Sequence, residues 1–312
     1  KNEEEALVDV LRLSKGMTYK AAAAGLNLGG GKAVIIGDPK TQKSEALFRN
    51  FGAFVNSLNG KYITAEDVGT TVQDMTYVFM ETPYVTGIPV SFGGSGDPSP
   101  YTAHGVLMGV KAAVHYKLKT DSLKDVRVAV QGLGNVGSHL VEYLVKEGAK
   151  VVIADIDQDK AKALAAKYNL EVVDPDKIAA VECDVFAPCA LGAVINDQSL
   201  PNLKCKVIAG GANNQLAEDR HGDALRELGI LYAPDYVINS GGLMNVFVEL
   251  EGYSSERAYE KTQQVYNSLI EVFKIADAEN ISNQKAADRL AERRIKSIGQ
   301  LRTHHHGRTA RP

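Results

Sequence analysis

A glycine-rich turn, Gln131-Gly132-Leu133-Gly134-Asn135-Val136-Gly137, directly follows the apolar run of residues 126–130. Its glycines have the spacing G-x-G-x-x-G, and apolar residues at helical intervals continue from the turn to Leu144. A strand that enters a helix through such a turn begins a parallel α/β unit. The pattern therefore predicts a strand, a tight turn and a helix over residues 126–144.

Each part of this turn suits a bound pyrophosphate. Gly132 permits the tight turn, Gly134 lets the backbone approach a phosphate, and Gly137 lets the helix pack closely on the strand. The helix N-terminus offers unpaired N–H groups and a partial positive charge. The predicted dinucleotide-binding residues of the turn are Gly132, Leu133, Gly134, Asn135, Val136, Gly137 and Ser138.

An acidic residue follows the next apolar run, residues 150–154. This residue, Asp155, can accept hydrogen bonds from an adenosine ribose diol, and it would repel a 2′-phosphate. The sequence therefore predicts NAD as the cofactor and not NADP. Glycine-rich turns alone occur in many α/β proteins, so this prediction depends on the strand, the helix and the acid together.

Composition excludes several classes of protein. A length of 312 residues favours about two domains, and 45% hydrophobic with 23% charged residues is typical of globular proteins. The net charge of −3 gives no reason to expect nucleic acid or an anionic membrane as a partner. No membrane-span or signal-peptide pattern is present. The three cysteines lack metal-ligand spacing. We therefore expect a cytoplasmic protein without a metal site.

From residue 126 to about 239, strands and helices alternate as in a doubly wound parallel sheet. Strands are predicted at 126–131, 150–154, 171–173, 184–187, 206–209 and 230–233. Further strands are predicted at 33–36 and 62–64, and helices at 2–15, 43–59, 101–117, 254–279 and 283–299. A basic tail with three histidines, residues 303–312, is expected to be solvated.

Residues 93–100 contain three glycines and two prolines, which predicts a hinge. We expect a substrate-binding and oligomerisation domain over 1–98, to which residues 286–312 return. The expected NAD-binding domain spans 99–285. The predicted fold class is therefore α/β, with two domains separated by a cleft.

Three charged residues outside the glycine turn are candidates for chemistry. Lys20 follows a glycine-containing segment, Lys32 closes a run of three glycines, and Asp67 follows a predicted strand. Ligands of open α/β sheets collect beyond the carboxyl ends of strands, where Asp67 is expected. Taken singly, the three also fit a surface lysine, a turn lysine and a helix-capping acid.

Six separate segments carry a resemblance to a known family, and they are 17–20, 28–32, 63–70, 187–190, 212–216 and 233–239. In this order they resemble the Glu/Leu/Phe/Val dehydrogenase family, and the likeness covers residues 1 to about 300. Within the family it is greatest to leucine-specific members, with phenylalanine-specific members next. The resemblance implies a Rossmann-type NAD domain, an α/β substrate domain and a homo-oligomer, either an octamer or a dimer. Family members usually carry some tens of residues ahead of the position of Lys1.

The resemblance implies reversible oxidative deamination of an L-amino acid to a 2-oxo acid, ammonium and NADH. Lys20 matches the lysine that pairs with the substrate carboxylate, Lys32 the lysine that polarises the reacting oxygen, and Asp67 the acid that moves protons at the amino group. The other matches to substrate-site residues are Met17, Gly29 and Gly30, and those to cofactor-site residues are Thr102, Cys189, Ala190, Asn213, Asn214 and Asn239.

The two lysines are expected to influence each other. At a separation of ~4 Å and an effective dielectric constant of 20, their repulsion is about 4 kcal/mol. That would lower one lysine pKa by roughly three units, and burial acts in the same direction. We therefore expect Lys32 to titrate below a free lysine.

The expected side-chain pocket is apolar. Its matching residues are Ala65, Leu243 and Val246. A glutamate side chain would leave a buried carboxylate without a partner there, so glutamate should be rejected. Ala65 resembles leucine-specific enzymes, whereas Leu243 and residues 250–253 resemble phenylalanine-specific ones. We favour leucine, with valine and isoleucine tolerated, and keep phenylalanine as the alternative.

Two other functions are compatible with parts of the sequence. A non-catalytic NAD-binding sensor or scaffold could use the same fold, since a fold does not imply a function. The joint presence of the two lysines and the acid argues against it. A hydroxy-acid dehydrogenase would need a histidine base with a carboxylate partner, and the sequence shows no evident partner for His104, His139 or His221.

Overall fold

A computed structural model describes residues 2–300. Up to residue 98, helices surround two short strands that pair in parallel, with Ala65 opposite Thr86. A small core that includes Phe48, Met75 and Val78 packs the second helix on the third. The elements are α1 (Glu3–Ala23), α2 (Glu45–Ser57), β1 (Thr64–Ala65), α3 (Val72–Phe79) and β2 (Val85–Thr86).

From Ser99 onward the chain alternates strands with helices and ends in helices. The strands are β3 (Arg127–Gln131), β4 (Lys150–Ala154), β5 (Glu171–Val172), β6 (Val185–Pro188), β7 (Val207–Ile208) and β8 (Leu231–Tyr232). The helices are α4 (Ser99–Leu118), α5 (Asn135–Lys146), α6 (Gln158–Tyr168), α7 (Arg220–Glu227), α8 (Asp235–Ile238), α9 (Gly241–Glu249), α10 (Ser255–Thr262), α11 (Gln264–Glu279) and α12 (Asn283–Gly299).

These six strands form one parallel sheet in the order β5-β4-β3-β6-β7-β8. Both faces of the sheet are covered: Val128 and Val130 pack into the larger core, and Ala129 packs into a second core on the other face. Runs of β-branched residues suit strands that are buried on both faces. The six strands predicted between residues 126 and 233 are confirmed.

Several predicted boundaries differ from the structure. The first helix continues to Ala23 because residues 21–23 are buried and prolong its packing face. Residues 254–279 form two helices that meet at Gln263. The predicted strand at 62–64 is found as a shorter strand shifted by one to two residues, Thr64–Ala65.

The predicted strand at 33–36 is wrong. Among the described residues this segment pairs with no strand, and the side chains of Val34, Ile35 and Ile36 are exposed. A β-branched run becomes a strand only where a neighbour supplies the ladder hydrogen bonds. Lys32 therefore lies in an irregular loop and not at the mouth of a strand.

The last helix lies against the first. The Tyr19 hydroxyl donates to Glu292 Oε1 over 3.2 Å, and Arg294 donates to the carbonyl of Gly25 and to Asn27 Oδ1. The predicted domain limits remain a prediction, and the histidine-containing tail lies outside the described residues. Within residues 2–300, none of the helices combines the length and the apolar character needed to cross a bilayer.

Candidate functional site

A cavity of about 3570 Å³ lies between the helices and loops before residue 98 and the carboxyl edge of the six-stranded sheet. It gathers all of the residues that the sequence predicted for the substrate and for catalysis, together with two predicted for the cofactor. They are Met17, Lys20, Gly29, Gly30, Lys32, Ala65, Asp67, Asn213, Asn214, Leu243 and Val246.

Close backbone packing joins α1, which carries Lys20, to the loop that carries Lys32. Lys20 lies in the last turn of α1, directly before the buried residues 21–23. The loop that leads to Lys32 presses Gly30 on this helix, where an added Cβ would lie 2.1 Å from the backbone nitrogen of Thr18. Only glycine permits that approach. The loop and the helix are thus joined at the wall of the cavity.

Lys20 donates a hydrogen bond over 2.7 Å to Oδ1 of Asn239, a residue that is itself buried. Burial lowers the pKa of Lys20 to about 8; Asp235 opposes this shift, and Lys32 adds to it. A lysine in this state gains an ionic partner when an anion enters the cavity. Lys20 is therefore suited to bind a small carboxylate.

Lys32 forms an ion pair with Asp67. Burial lowers the pKa of Lys32, and Asp9 opposes this shift. The contact with Asp67 is one that favours the charged lysine. The loop of Asp67 is fixed by hydrogen bonds of its backbone to the Thr70 hydroxyl, at 2.9 and 2.7 Å. The pair places a proton donor and an acceptor side by side.

The cause expected for the lysine pKa shifts needs correction. We expected repulsion between Lys20 and Lys32 to dominate, but burial is the largest cause at both, and repulsion is the smallest at Lys20. The stronger shift also belongs to Lys20. Nearby carboxylates oppose the shift at both lysines, Asp235 at Lys20 and Asp9 at Lys32, but burial outweighs them.

Sequence reasoning assigned no role to Asp235, which opens α8 beside Lys20. Its carboxylate accepts the backbone N–H groups of Gln215 at 3.2 Å and Tyr236 at 2.6 Å. Burial raises its pKa, and these hydrogen bonds and Lys20 oppose the rise. The sequence signal was its place in the segment 233–239, four residues before Asn239.

Asn239 connects the cavity to the sheet edge. Its side-chain amide donates to Asn213 Oδ1 over 2.7 Å and to the carbonyl of Gly211 over 3.3 Å. Gly211 in turn lies against Val136 of the glycine turn. A short chain of contacts therefore links Lys20 to the predicted dinucleotide turn, although the turn itself does not line the cavity.

The glycine turn has the geometry that a pyrophosphate requires. Gly132 has φ +90°, and it packs against Ala190 so closely that an added Cβ would lie 2.7 Å away. Gly134 and Asn135 are exposed at the N-terminus of α5, and an added Cβ on Gly134 meets no heavy atom within 4 Å. That open space, beside the N–H groups of a twelve-residue helix, fits a phosphate.

The remaining residues predicted for the cofactor differ in how far their side chains are available to a ligand. The Leu133 side chain is fully buried in the core, and the Ser138 hydroxyl donates to the carbonyl of Leu133. The Thr102 hydroxyl donates to the carbonyl of Pro98. Burial raises the pKa of the Cys189 thiol to about 11, so the thiol stays protonated. Any contact of Leu133 with a ligand must use its backbone.

Asp155 lies where the sequence predicted it, one residue past the end of β4. Its Oδ2 accepts the backbone N–H of Leu133 at 2.5 Å, and its Oδ1 accepts that of Asp157 at 2.8 Å. The carboxylate is thereby fixed next to the glycine turn. This is the position from which it can accept hydrogen bonds from a ribose diol.

The expectation that the three histidines lack carboxylate partners is wrong for His221. Its Nε2 lies 3.3 Å from Asp197 Oδ1, while its Nδ1 accepts the backbone N–H of Glu218. Ligand atoms of these three residues lie within 4.8 Å of one another. Arg220 donates to both carboxylates and supplies the positive charge there. None of the predicted histidines lines the cavity among the described residues.

Two models of protein families match the chain. Residues 1–84 match the family model described as Glu/Leu/Phe/Val dehydrogenase, dimerisation domain. Residues 93–159 and 153–298 match the model described as Glutamate/Leucine/Phenylalanine/Valine dehydrogenase.

Individual relatives match over nearly the whole chain. A leucine dehydrogenase of Geobacillus stearothermophilus is 57% identical over 97% of this chain and 82% of its own length. A phenylalanine dehydrogenase of Caldalkalibacillus thermarum is 47% identical over 96% and 83%. The crystal structure of L-tryptophan dehydrogenase from Nostoc punctiforme superimposes with a TM-score of 0.87, at 44% identity over 96% of this chain and 86% of that one.

We predict that Gly137→Ala lowers the melting temperature, whereas Gly134→Ala does not. The new Cβ at Gly137 would lie 2.0 Å from the carbonyl oxygen of Gly132, so the strand and helix must separate, at a cost of about 1–3 kcal/mol. Gly134 carries the same chemical change into open space, where the methyl group should weaken dinucleotide binding only. Thermal denaturation and NADH titration of both variants provide the check. Equal melting temperatures would contradict the close packing.

Proposed function

The chain belongs to the Glu/Leu/Phe/Val dehydrogenase family, and from this we propose that it is an NAD-dependent leucine dehydrogenase. It would convert leucine reversibly to the 2-oxo acid, ammonium and NADH. The observation that carries the proposal is one cavity in which Lys20 and the Lys32–Asp67 pair face an apolar wall. The identity of 54–57% with leucine dehydrogenases supports the same substrate.

Each charged residue has a distinct task in this reaction. We assign the substrate carboxylate to Lys20, because a carboxylate would give this partly desolvated ammonium group an ionic partner. Asn239, bonded to Lys20 at 2.7 Å, would orient both groups. Holding the carboxylate fixes the α-carbon relative to the reacting groups.

The chemistry requires proton transfers at two atoms. Loss of hydride from the α-carbon leaves an iminium, water adds to that carbon, and the carbinolamine loses ammonium to give the 2-oxo acid. We assign Lys32 to the oxygen, which it would polarise, and Asp67 to the amino nitrogen, where it would take and return protons. NAD, when bound, supplies the hydride acceptor. The ion pair between Lys32 and Asp67 allows a proton to pass between them.

The cofactor is NAD. Gly132, Gly134 and the N-terminus of α5 would hold its pyrophosphate, and Asp155 would accept hydrogen bonds from the adenosine ribose. The other residues assigned to the cofactor are those of the glycine turn and its neighbours, Leu133, Asn135, Val136, Gly137, Ser138, Thr102, Cys189, Ala190, Asn213 and Asn214.

The side-chain pocket is assigned to Ala65, Leu243 and Val246, which line the cavity. Their apolar surface suits an aliphatic side chain and leaves a glutamate carboxylate without a partner. Phenylalanine is the second candidate substrate, because the chain is also 47% identical to phenylalanine dehydrogenases. Met17, Gly29 and Gly30 complete the proposed substrate site.

The match of residues 1–84 to a dimerisation domain indicates an oligomer. We propose identical subunits, as an octamer or a dimer, in the cytoplasm. We also propose a substrate domain over 1–98 with residues 286–312 returning to it, of which 301–312 lie outside the described residues. The proposed NAD domain spans 99–285, with closure about residues 93–100. A sensor or scaffold without catalysis would have no need for the Lys32–Asp67 pair.

The direct test is formation of NADH with a panel of amino acids. We expect leucine to be the best substrate, valine and isoleucine to react, phenylalanine to react more slowly and glutamate to be rejected. NADP should support little turnover, because Asp155 would repel its 2′-phosphate. Absence of turnover with every amino acid would overturn the proposed function, and dependence of the reverse reaction on ammonium would exclude a hydroxy-acid dehydrogenase.

Lys32→Ala should lower kcat by at least about 10²-fold, the lower end of what a positioned acid–base group contributes. NADH binding should remain close to that of the unchanged enzyme, because Lys32 lies in the cavity and not at the glycine turn. Lys40→Ala, an exposed lysine of the same loop region outside the cavity lining, is the matched control. Equal losses of turnover and of NADH binding would point to a folding role for Lys32.

The pKa of Lys20 predicts how carboxylate binding depends on pH. The pKa is lowered to about 8 in the free enzyme, so the cation is lost as the pH rises through 8. The inhibition constant of 4-methylpentanoate, which has no amino group to titrate, should rise about tenfold per pH unit above that point. Lys20→Met should bind the inhibitor weakly at every pH. If the inhibition constant of Lys20→Met rose with pH in the same way, the titrating group would be a residue other than Lys20.

A further inference from the structure

Glu249, the last residue of α9, reaches across to the part of the chain that precedes residue 98. Its Oε2 accepts the backbone N–H of Gly87 at 3.1 Å and that of Ser95 at 2.9 Å. Gly87 and Ser95 are buried, and Glu249 lies on the cavity wall. A carboxylate that accepts two backbone N–H groups forms charge-assisted hydrogen bonds, which are stronger than neutral ones.

The segment that Glu249 holds is a compact turn over residues 87–96. The N–H of Gly94 donates to the carbonyl of Pro89, and that of Gly96 donates to the carbonyl of Ile88. Gly94 lies so close to Ile88 that an added Cβ would be 2.0 Å from its carbonyl oxygen. Glu249 therefore binds, near both of its ends, a turn that is closed by its own backbone hydrogen bonds.

The two residues that this hydrogen bond joins, Gly87 and Glu249, belong to the segments that form the two walls of the proposed side-chain pocket. Gly87 directly follows Thr86, which lies opposite Ala65 in the parallel pair of β1 and β2. On the other side, Leu243, Val246 and Glu249 recur at intervals of three residues along α9, which places them on one side of the helix. The carboxylate thus ties the Ala65 wall to the wall formed by Leu243 and Val246.

We propose that Glu249 is a positioning residue for substrate specificity, which sets the width of the side-chain pocket by fixing α9 to the turn at 87–96. The inference rests on the proposed function and deepens it. Glu249 touches neither substrate nor cofactor in this account. Without the tether, the two walls are free to move apart, and a wider pocket admits an aromatic side chain more readily.

Three variants of this residue separate the tether from other effects. Glu249→Ala removes both hydrogen bonds. Glu249→Gln retains one carbonyl oxygen of the same reach, and both N–H groups already converge on a single oxygen. Glu249→Asp keeps the charge and shortens the reach by one methylene group. Glu142→Gln, in an exposed i,i+4 pair with Lys146 on α5, is the matched control for loss of a carboxylate charge.

The measurement is the ratio of kcat/KM for phenylalanine to that for leucine. We expect Glu249→Ala to raise this ratio by about tenfold, the lower end of what one methylene group is worth in an apolar pocket. Glu249→Asp should raise it too, whereas Glu249→Gln and Glu142→Gln should leave it close to that of the unchanged enzyme. The KM for NAD should stay unchanged in all four, since the glycine turn does not line the cavity on whose wall Glu249 lies.

An unchanged ratio in both Glu249→Ala and Glu249→Asp, with only a lower melting temperature, would overturn the inference and leave the proposed function intact. A raised ratio in Glu249→Gln equal to that in Glu249→Ala would overturn it as well, because charge and not the tether would then control the pocket. If the unchanged chain formed no NADH with any amino acid, the proposed function would fail, and this inference with it.

Discussion

Lys20 is partly removed from water, and the contacts that its charge then requires constrain how the elements around the cavity pack. The ammonium group of Lys20 has a neutral amide, Asn239, at 2.7 Å and a carboxylate, Asp235, near enough to oppose the lowering of its pKa. Removing a cation from water is costly unless hydrogen bonds and opposite charge surround it. The helix that carries Lys20 must therefore be held firmly against the segment 235–239, and α12 packs on that helix through Tyr19 and residues 25–27.

The same arrangement couples the two halves of the proposed site. Asn239 bonds on one side to Lys20 and on the other to Asn213 and Gly211, which lies against the glycine turn. A displacement of α1 would therefore be transmitted to the carboxyl edge of the sheet through these few contacts. Glu249, on the cavity wall, makes a second connection. Two polar tethers therefore join the two sides of a cavity that helices and loops line.

Local signals in the sequence were sufficient for the sheet and the glycine turn. Five of the six strands contain apolar residues that are buried in the sheet, and only the edge strand β5 is more exposed. Within the turn, Gly132 is required by its φ of +90°, and Gly137 is required by its close contact with the carbonyl oxygen of Gly132, five residues earlier. The strand predicted at 33–36 failed because strand formation depends on a partner, and a run such as Ala33–Ile36 does not reveal whether one exists.

Local sequence patterns did not predict contacts between residues that are far apart in the chain. The hydrogen bonds of Glu249 to Gly87 and Ser95 span more than 150 positions, and no local pattern marks a carboxylate that accepts backbone N–H groups. Asp235 lies near Lys20 only in the folded chain. Without these partners in view, repulsion between the lysines was given too much weight.

The two lysines differ in how much they gain from a substrate. Lys32 is already paired, and its partner Asp67 keeps about half of its side-chain surface exposed, at 49%. A pair with one partner half exposed is cheaper to separate than a fully buried one, so a substrate can enter between the two groups. Lys20 instead holds a poorly compensated charge whose pKa is lowered to about 8. A carboxylate that reaches it restores a full ion pair, so most of the electrostatic gain on binding arises at Lys20. The pair at Lys32 and Asp67 then stays free to exchange protons during the reaction.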